Sequence, residues 1–221
     1  RRLGRHNEAA LALEAATRLQ KNYAPAHFEL GCLLQDEGRL KEALAEYGRA
    51  VRIAPQEPTY HLTLGQAARE LGRYDQATEH LDRTIALAPH NAAAHFELGR
   101  VYQEEGALEK ALEKYDRTVA LDSSQAHYHC QRGQVLARLS RPEEAVSALE
   151  FATRLDPGYA QAHRLLGDLA LERGDLEPAR RSYLQAVGAN PQDAGLRAAL
   201  GKLLVHMGRP DEARSELSRA L

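Results

Sequence analysis

The chain has 221 residues, a formal net charge of -2, no tryptophan and 5% aromatic residues. That balance excludes a strongly cationic nucleic-acid binder and a polybasic membrane binder. With 27% charged residues and abundant alanine and leucine, it suits an all-helical protein. No apolar run approaches the ~20 residues a membrane-spanning helix needs, and no signal peptide is recognisable. Arginine far outnumbers lysine, as in products of GC-rich bacterial genomes. Cys32 and Cys130 lie almost three periods of the repeat described below apart, too far for a disulfide in an extended array. A reducing, cytoplasmic setting is therefore expected, with the periplasm as the other option.

Glycines at 31, 65, 99, 133, 167 and 201 recur every 34 residues. Taking each as position 8 of a unit divides the chain into 24–57, 58–91, 92–125, 126–159, 160–193 and 194–221, the last of them short. Residues 1–23 come first and fit the second half of a unit, with Gly4 at position 15 and Ala9 at position 20. They are expected to form a helix without its hairpin partner. In each full unit, apolar residues at positions 7, 10 and 11 make one helical stripe, and those at 17, 20, 21, 24, 27 and 28 make a second. Position 20 is alanine throughout: Ala43, Ala77, Ala111, Ala145, Ala179 and Ala213. Position 15 is Gly38, Gly72, Gly106, Ser140, Gly174 and Gly208, which suits the left-handed end of a first helix. Position 32 is Pro55, Pro89, Ser123, Pro157 and Pro191, which stops a second helix. Each unit therefore reads as a helical hairpin, helix A then helix B, that must stack on its neighbours to bury both stripes. Both ends of the array expose faces that seek a neighbour, so the chain reads as part of a longer array or as one that stacks on copies of itself.

Two further patterns overlie the frame. Position 24 alternates Tyr47, Leu81, Tyr115, Leu149, Tyr183 and Leu217, and the segment Ala-His-Phe-Glu-Leu-Gly occurs at 26–31 and again at 94–99. Position 4 carries His27, His61, His95, His129 and His163, followed by Arg197. One histidine per rung cannot converge on an ion. Packed helix axes sit ~8–10 Å apart, whereas zinc holds its ligands at ~2 Å. The histidines are read as seam fillers with local hydrogen bonds. Unit 4 departs most from the frame, with Arg132 in place of leucine, Ser140 in place of glycine, and Pro142 opening its B helix.

Gly at 8, Ala at 20, a large residue at 24 and Pro at 32 resemble the tetratricopeptide repeat family over essentially the whole chain. The resemblance implies an all-α solenoid, a right-handed superhelix of antiparallel helix pairs, whose A helices line a concave peptide-binding face. Positions 2, 5, 9, 12 and 13 would face that groove. Carried over, these positions give an apolar strip of Phe28, Leu62, Phe96 and Cys130 ending at Arg164. Cys32, Gln66, Arg69, Arg100, Gln103 and Gln134 would flank it. The clamp with which some members hold acidic chaperone tails needs Lys at 5 and Asn at 9; here those positions are Phe28 and Cys32. A partner's peptide or helix with apolar anchors is the expected ligand, without cofactor, metal or catalytic residues. The alternatives are a self-assembling structural module and a regulatory or targeting module of a larger enzyme.

Overall fold

The computed structural model describes residues 13, 15, 19, 20 and 22–220. The helix expected over 1–23 lies almost wholly outside the described residues. Twelve α-helices and no strand occur among the described residues. They are α1 (Ala24–Asp36), α2 (Leu40–Ile53), α3 (Pro58–Glu70), α4 (Tyr74–Leu87), α5 (Ala92–Glu104) and α6 (Leu108–Leu121). They continue as α7 (Ala126–Arg138), α8 (Pro142–Leu155), α9 (Ala160–Glu172), α10 (Leu176–Ala189), α11 (Ala194–His206) and α12 (Pro210–Ser218). None is long and apolar enough to cross a membrane. Odd-numbered helices are the A helices and even-numbered ones the B helices. The pairs α1–α2, α3–α4, α7–α8, α9–α10 and α11–α12 pack as hairpins.

Two compact units share the chain, Arg1–Lys114 and Tyr115–Leu221, with the boundary inside α6. The first has an apolar cluster that includes Leu30, Tyr47, Leu64, Leu81, Leu98 and Val101. The second has one that includes Tyr183, Val187, Leu196, Leu200 and Leu203. Burial that runs only between near neighbours is what a stacked repeat produces in place of one global core.

The glycine at position 8 is set by its own hairpin. A Cβ at Gly31 would stand 2.5 Å from the Tyr47 ring, and one at Gly167 would stand 2.8 Å from the Tyr183 ring. At Gly65, Gly133 and Gly201 it would meet Leu81, Leu149 and Leu217 at 2.8, 2.7 and 2.7 Å. Position 24 thus lies directly under position 8, and only the missing side chain lets the A and B helices close. The fully buried alanines at position 20 complete the approach, since the same Cβ at Gly65 would come within 3.3 Å of the Ala77 carbonyl oxygen.

The A helices end in one repeated cap. Gly38 has φ +77° and donates its N–H to the Gln35 carbonyl, while the Arg39 N–H reaches the Leu34 carbonyl. This pair of bonds, made around a left-handed residue, closes the orphan carbonyls of the last turn. Ser140 adopts the same conformation at φ 57°, with the Ser140 and Arg141 amides bonded to Ala137 and Leu136.

The histidine ladder is a set of local ties. Nε2 of His61, His95, His129 and His163 bonds the carbonyl oxygen six residues earlier, on Pro55, Pro89, Ser123 and Pro157, at 3.0–3.3 Å. Arg197 replaces histidine in the last unit and makes the same bond, Nε to the Pro191 carbonyl at 2.9 Å. Each tie joins the first turn of an A helix to the loop behind it. The other ring nitrogen can face position 23 of the B helix: His27 meets Glu46 at 2.7 Å and His61 meets His80 at 3.1 Å.

Arg132, placed where leucine is usual, keeps its head near solvent. Its side chain is 27% exposed, and its Nε donates to Asp116 at 2.6 Å.

Candidate peptide-binding surface

Helices α1, α3 and α5 carry eight of the residues assigned to the groove, all in the first unit. Phe28 is half-buried on α1. Its ring lies 4.9 Å from Tyr60 of α3 and 5.7 Å from Tyr47 of α2. Leu62 and Cys32 are also half-buried and rest on the first unit's core. Phe28 and Tyr60 thus pair ring to ring and stay only half-buried, while Leu62, two residues after Tyr60 on α3, lies on a different face of that helix. Phe96 differs: it is 8% exposed, and the Arg100 guanidinium lies 6.0 Å from its ring centre. Gln103 sits partly buried on α5.

Glu97, itself buried, organises the polar floor between α3 and α5. Arg69 is only 7% exposed. It donates Nε to Glu97 at 3.1 Å and Nη1 to Glu104 at 2.8 Å. Gln66 adds a bond to Glu97 at 3.4 Å, and Arg100 adds Nη1 at 3.4 Å. A buried carboxylate needs this compensation, because its desolvation is costly unless it is paired and hydrogen-bonded. Arg69 thus holds two A helices together, and its charge is matched within the protein. Tyr47 passes beneath Gly31 and donates its hydroxyl to Gln35 at 2.8 Å, a bond from the B helix to its own A helix. Burial raises the Tyr47 hydroxyl and the Cys32 thiol above their ordinary pKa values.

Three assigned residues lie in the second unit. Cys130 on α7 is fully buried, and burial pushes its thiol up to about 12. Gln134 is partly buried on the same helix. Arg164 on α9 donates to Asp168 at 3.1 Å, and Tyr183 donates its hydroxyl to the other oxygen of that carboxylate at 2.6 Å.

Sequence reasoning did not anticipate Tyr60, Glu97 as a hub, or the two tyrosine hydroxyls. One signal was available for the hydroxyls. A tyrosine lying under a position-8 glycine extends one atom past the seam, toward positions 9 and 12 of its own A helix. Among the described residues no group of three or more His, Cys, Asp or Glu side chains is placed to hold a metal.

The order of helices and the residues of the frame have counterparts among known proteins. No curated protein sequence matches the chain. Among solved structures, PilF of Pseudomonas aeruginosa is similar with a TM-score of 0.77 at 20% identity, over 87% of this chain and 88% of that one. YrrB, described as a TPR protein with an unusual peptide-binding site, gives a TM-score of 0.67 at 23% identity, over 90% and 99%. MamA gives 0.66 at 24% identity, over 74% and 90%. At such identities the likeness shows the fold. Tetratricopeptide repeat profiles match residues 24–57, 62–126, 130–194 and 194–219, and so the chain belongs to the tetratricopeptide repeat family.

Proposed function

We propose that the chain is a non-enzymatic scaffold that holds a segment of a partner protein against the A-helix surface of its first unit. The half-buried Phe28–Tyr60 ring pair carries this reading. A ring pair left half-buried offers a seat for a peptide's apolar anchor, and Leu62 offers a second, separate contact. The floor beneath is already bonded, so a ligand need not disrupt it. Neither cysteine suits a nucleophile, which needs a lowered pKa, because burial raises both. Peptides selected from a displayed random library on the wild type should lose binding to Phe28→Ala/Leu62→Ala and keep it on Phe151→Ala, a substitution in the second unit. Binders indifferent to the first pair would refute the groove.

Self-association is a second reading, favoured by the last hairpin. Val205 on α11 and Leu217 on α12 are 59% and 36% exposed, an apolar outer face on which another helix could pack. A molar mass by light scattering that stays constant over a hundredfold rise in concentration would remove it.

A further inference from the structure

The charge left over on the first unit's A helices has one sign. Each helix presents a stripe at spacings i, i+3 and i+7, which share a face. On α1 the stripe is Glu29, Cys32 and Asp36; on α3 it is Thr63, Gln66 and Glu70; on α5 it is Glu97, Arg100 and Glu104. Five carboxylates face two guanidinium groups, those of Arg100 and the neighbouring Arg69. The two arginines are engaged with Glu97 and Glu104 by the bonds described above, and Arg69 is too buried to turn outward. Five minus two leaves three negative charges, on Glu29, Asp36 and Glu70, all exposed. Glu29 and Asp36 enter no ion pair among the described residues, and Glu70 has only the Arg69 Nη2 at 3.9 Å.

The placement of these acids runs against helix stability. Asp36, Glu70 and Glu104 are the final residues of α1, α3 and α5. A helix C-terminus carries partial negative charge and favours cations. Asp36 and Glu70 are therefore the less stable choice at two of these ends, whereas Glu104 is held by Arg69. Burial is the main cause of the raised pKa of Cys32, Tyr47 and Tyr60, with Glu29, Asp36 and Glu70 adding to it.

We propose that the first unit's groove receives a cationic amphipathic segment of a partner protein. Its apolar side chains would rest on the Phe28–Tyr60 ring pair, and its Lys or Arg side chains on Glu29, Asp36 and Glu70. The inference rests on the groove reading above and adds the charge of the ligand. It changes the role expected of Arg69 and Arg100, from contacts flanking the apolar strip to ties that hold the A helices together. An acidic tail is disfavoured by the same three charges.

The test uses the whole chain and two fluorescein-labelled 18-residue helical peptides. Both carry leucine at the same positions, with lysine at every polar position in one and glutamate in the other. The lysine peptide should bind, more weakly as salt is raised, and the glutamate peptide should not. Asp36→Asn/Glu70→Gln should bind the lysine peptide about tenfold more weakly while melting at a higher temperature than the wild type. Glu143→Gln/Glu150→Gln, on α8 in the second unit, should leave the affinity within about twofold, since each removed charge lies off the groove. Equal affinity for the two peptides, or a groove variant that binds no more weakly than the α8 variant, would overturn the charge inference. If the glutamate peptide binds and Phe28→Ala abolishes that binding, the groove stands and only the cationic ligand falls. If the lysine peptide binds regardless of Phe28→Ala, the groove and its ligand both fall.

Discussion

Adding one methyl group should stabilise the fold at Gly48 and destabilise it at Gly65. Both glycines sit inside helices, α2 and α3, where glycine is ~1 kcal/mol worse than alanine. At Gly48 the new Cβ meets only the Arg52 guanidinium, 3.9 Å away, so the gain should be nearly complete. At Gly65 it arrives 2.8 Å from Leu81 Cγ, 3.0 Å from Cδ2 and 3.3 Å from the Ala77 carbonyl oxygen. Leu81 is fully buried. The carbonyl is backbone, so the hairpin itself must open. Overpacking of this kind costs ~1–3 kcal/mol. Gly65→Ala should therefore end up to ~2 kcal/mol below the wild type, and Gly48→Ala ~0.5–1 kcal/mol above it. For a chain of this size, each kcal/mol moves the melting temperature by ~2–4 °C. Urea titrations and thermal melts of both variants read the difference. Adding Leu81→Ala to Gly65→Ala should cost less than the sum of the two single changes, because the cavity left by the leucine accepts the methyl. A Gly65→Ala protein as stable as Gly48→Ala would refute the claim that position 8 is set by the side chain beneath it.

Three further outcomes follow from the geometry. Ser140→Gly should raise stability by ~1 kcal/mol, since a left-handed serine is strained by about that amount and its side chain is exposed; an unchanged urea midpoint would mean the strain is absent. Arg132→Leu should stabilise by up to ~1 kcal/mol, because the partly exposed pair with Asp116 contributes little and Leu64 and Leu200 fill the same position almost completely buried; a drop in midpoint would show that the pair matters more than the seam. Stability should fall as pH drops below about 6.5, with His80 as one cause. Burial first, and His61 second, hold His80 below its ordinary pKa. The folded state thus binds fewer protons than the unfolded one, and the stability present above the unfolded pKa is lost in acid. His80→Glu would give His61 the kind of carboxylate that Glu46 gives His27. It should reduce that loss between pH 7.5 and 5.5, and an identical loss in both proteins would count against the His61–His80 contact.

Much of the fold was legible because it depends on residues that have few substitutes. A positive φ asks for glycine, a helix stop is served by proline, and a close backbone approach asks for glycine opposite alanine. These requirements repeat with the unit and so appear as a period. The groove was less legible. The segment Ala-His-Phe-Glu-Leu-Gly occurs twice with different results. Phe28 stays half-open and Glu29 exposed, whereas Phe96 and Glu97 are buried. The cause lies outside the segment. Four residues after Phe28 comes Cys32, which is small. Four residues after Phe96 comes Arg100, whose guanidinium lies near the ring. Glu97 in turn faces Arg69 of the preceding A helix. Burial at position 5 or 6 is thus decided by residues one turn or one repeat away, which a reading of one position at a time does not see.

The same separation bears on how the groove can change. Positions 4, 8, 15, 20 and 32 face their own hairpin or the loop behind it, and a substitution there is felt as stability. Positions 6, 9, 12 and 13 face the next A helix or solvent, and they differ from unit to unit. In the first unit they include Asp36 and Glu70 at helix ends, where neutral residues would be more stable by ~0.3–1 kcal/mol each. Asp36→Asn is the sharpest single probe of that trade. If the acid serves only the fold, removing its charge should either leave the protein unchanged or harm it. If the acid serves a cationic ligand, the variant should be more stable and bind less well. The two readings predict opposite signs in a thermal melt and a peptide titration made on the same sample. A variant that is both less stable and no weaker in binding would leave the acidic helix ends without a functional reason.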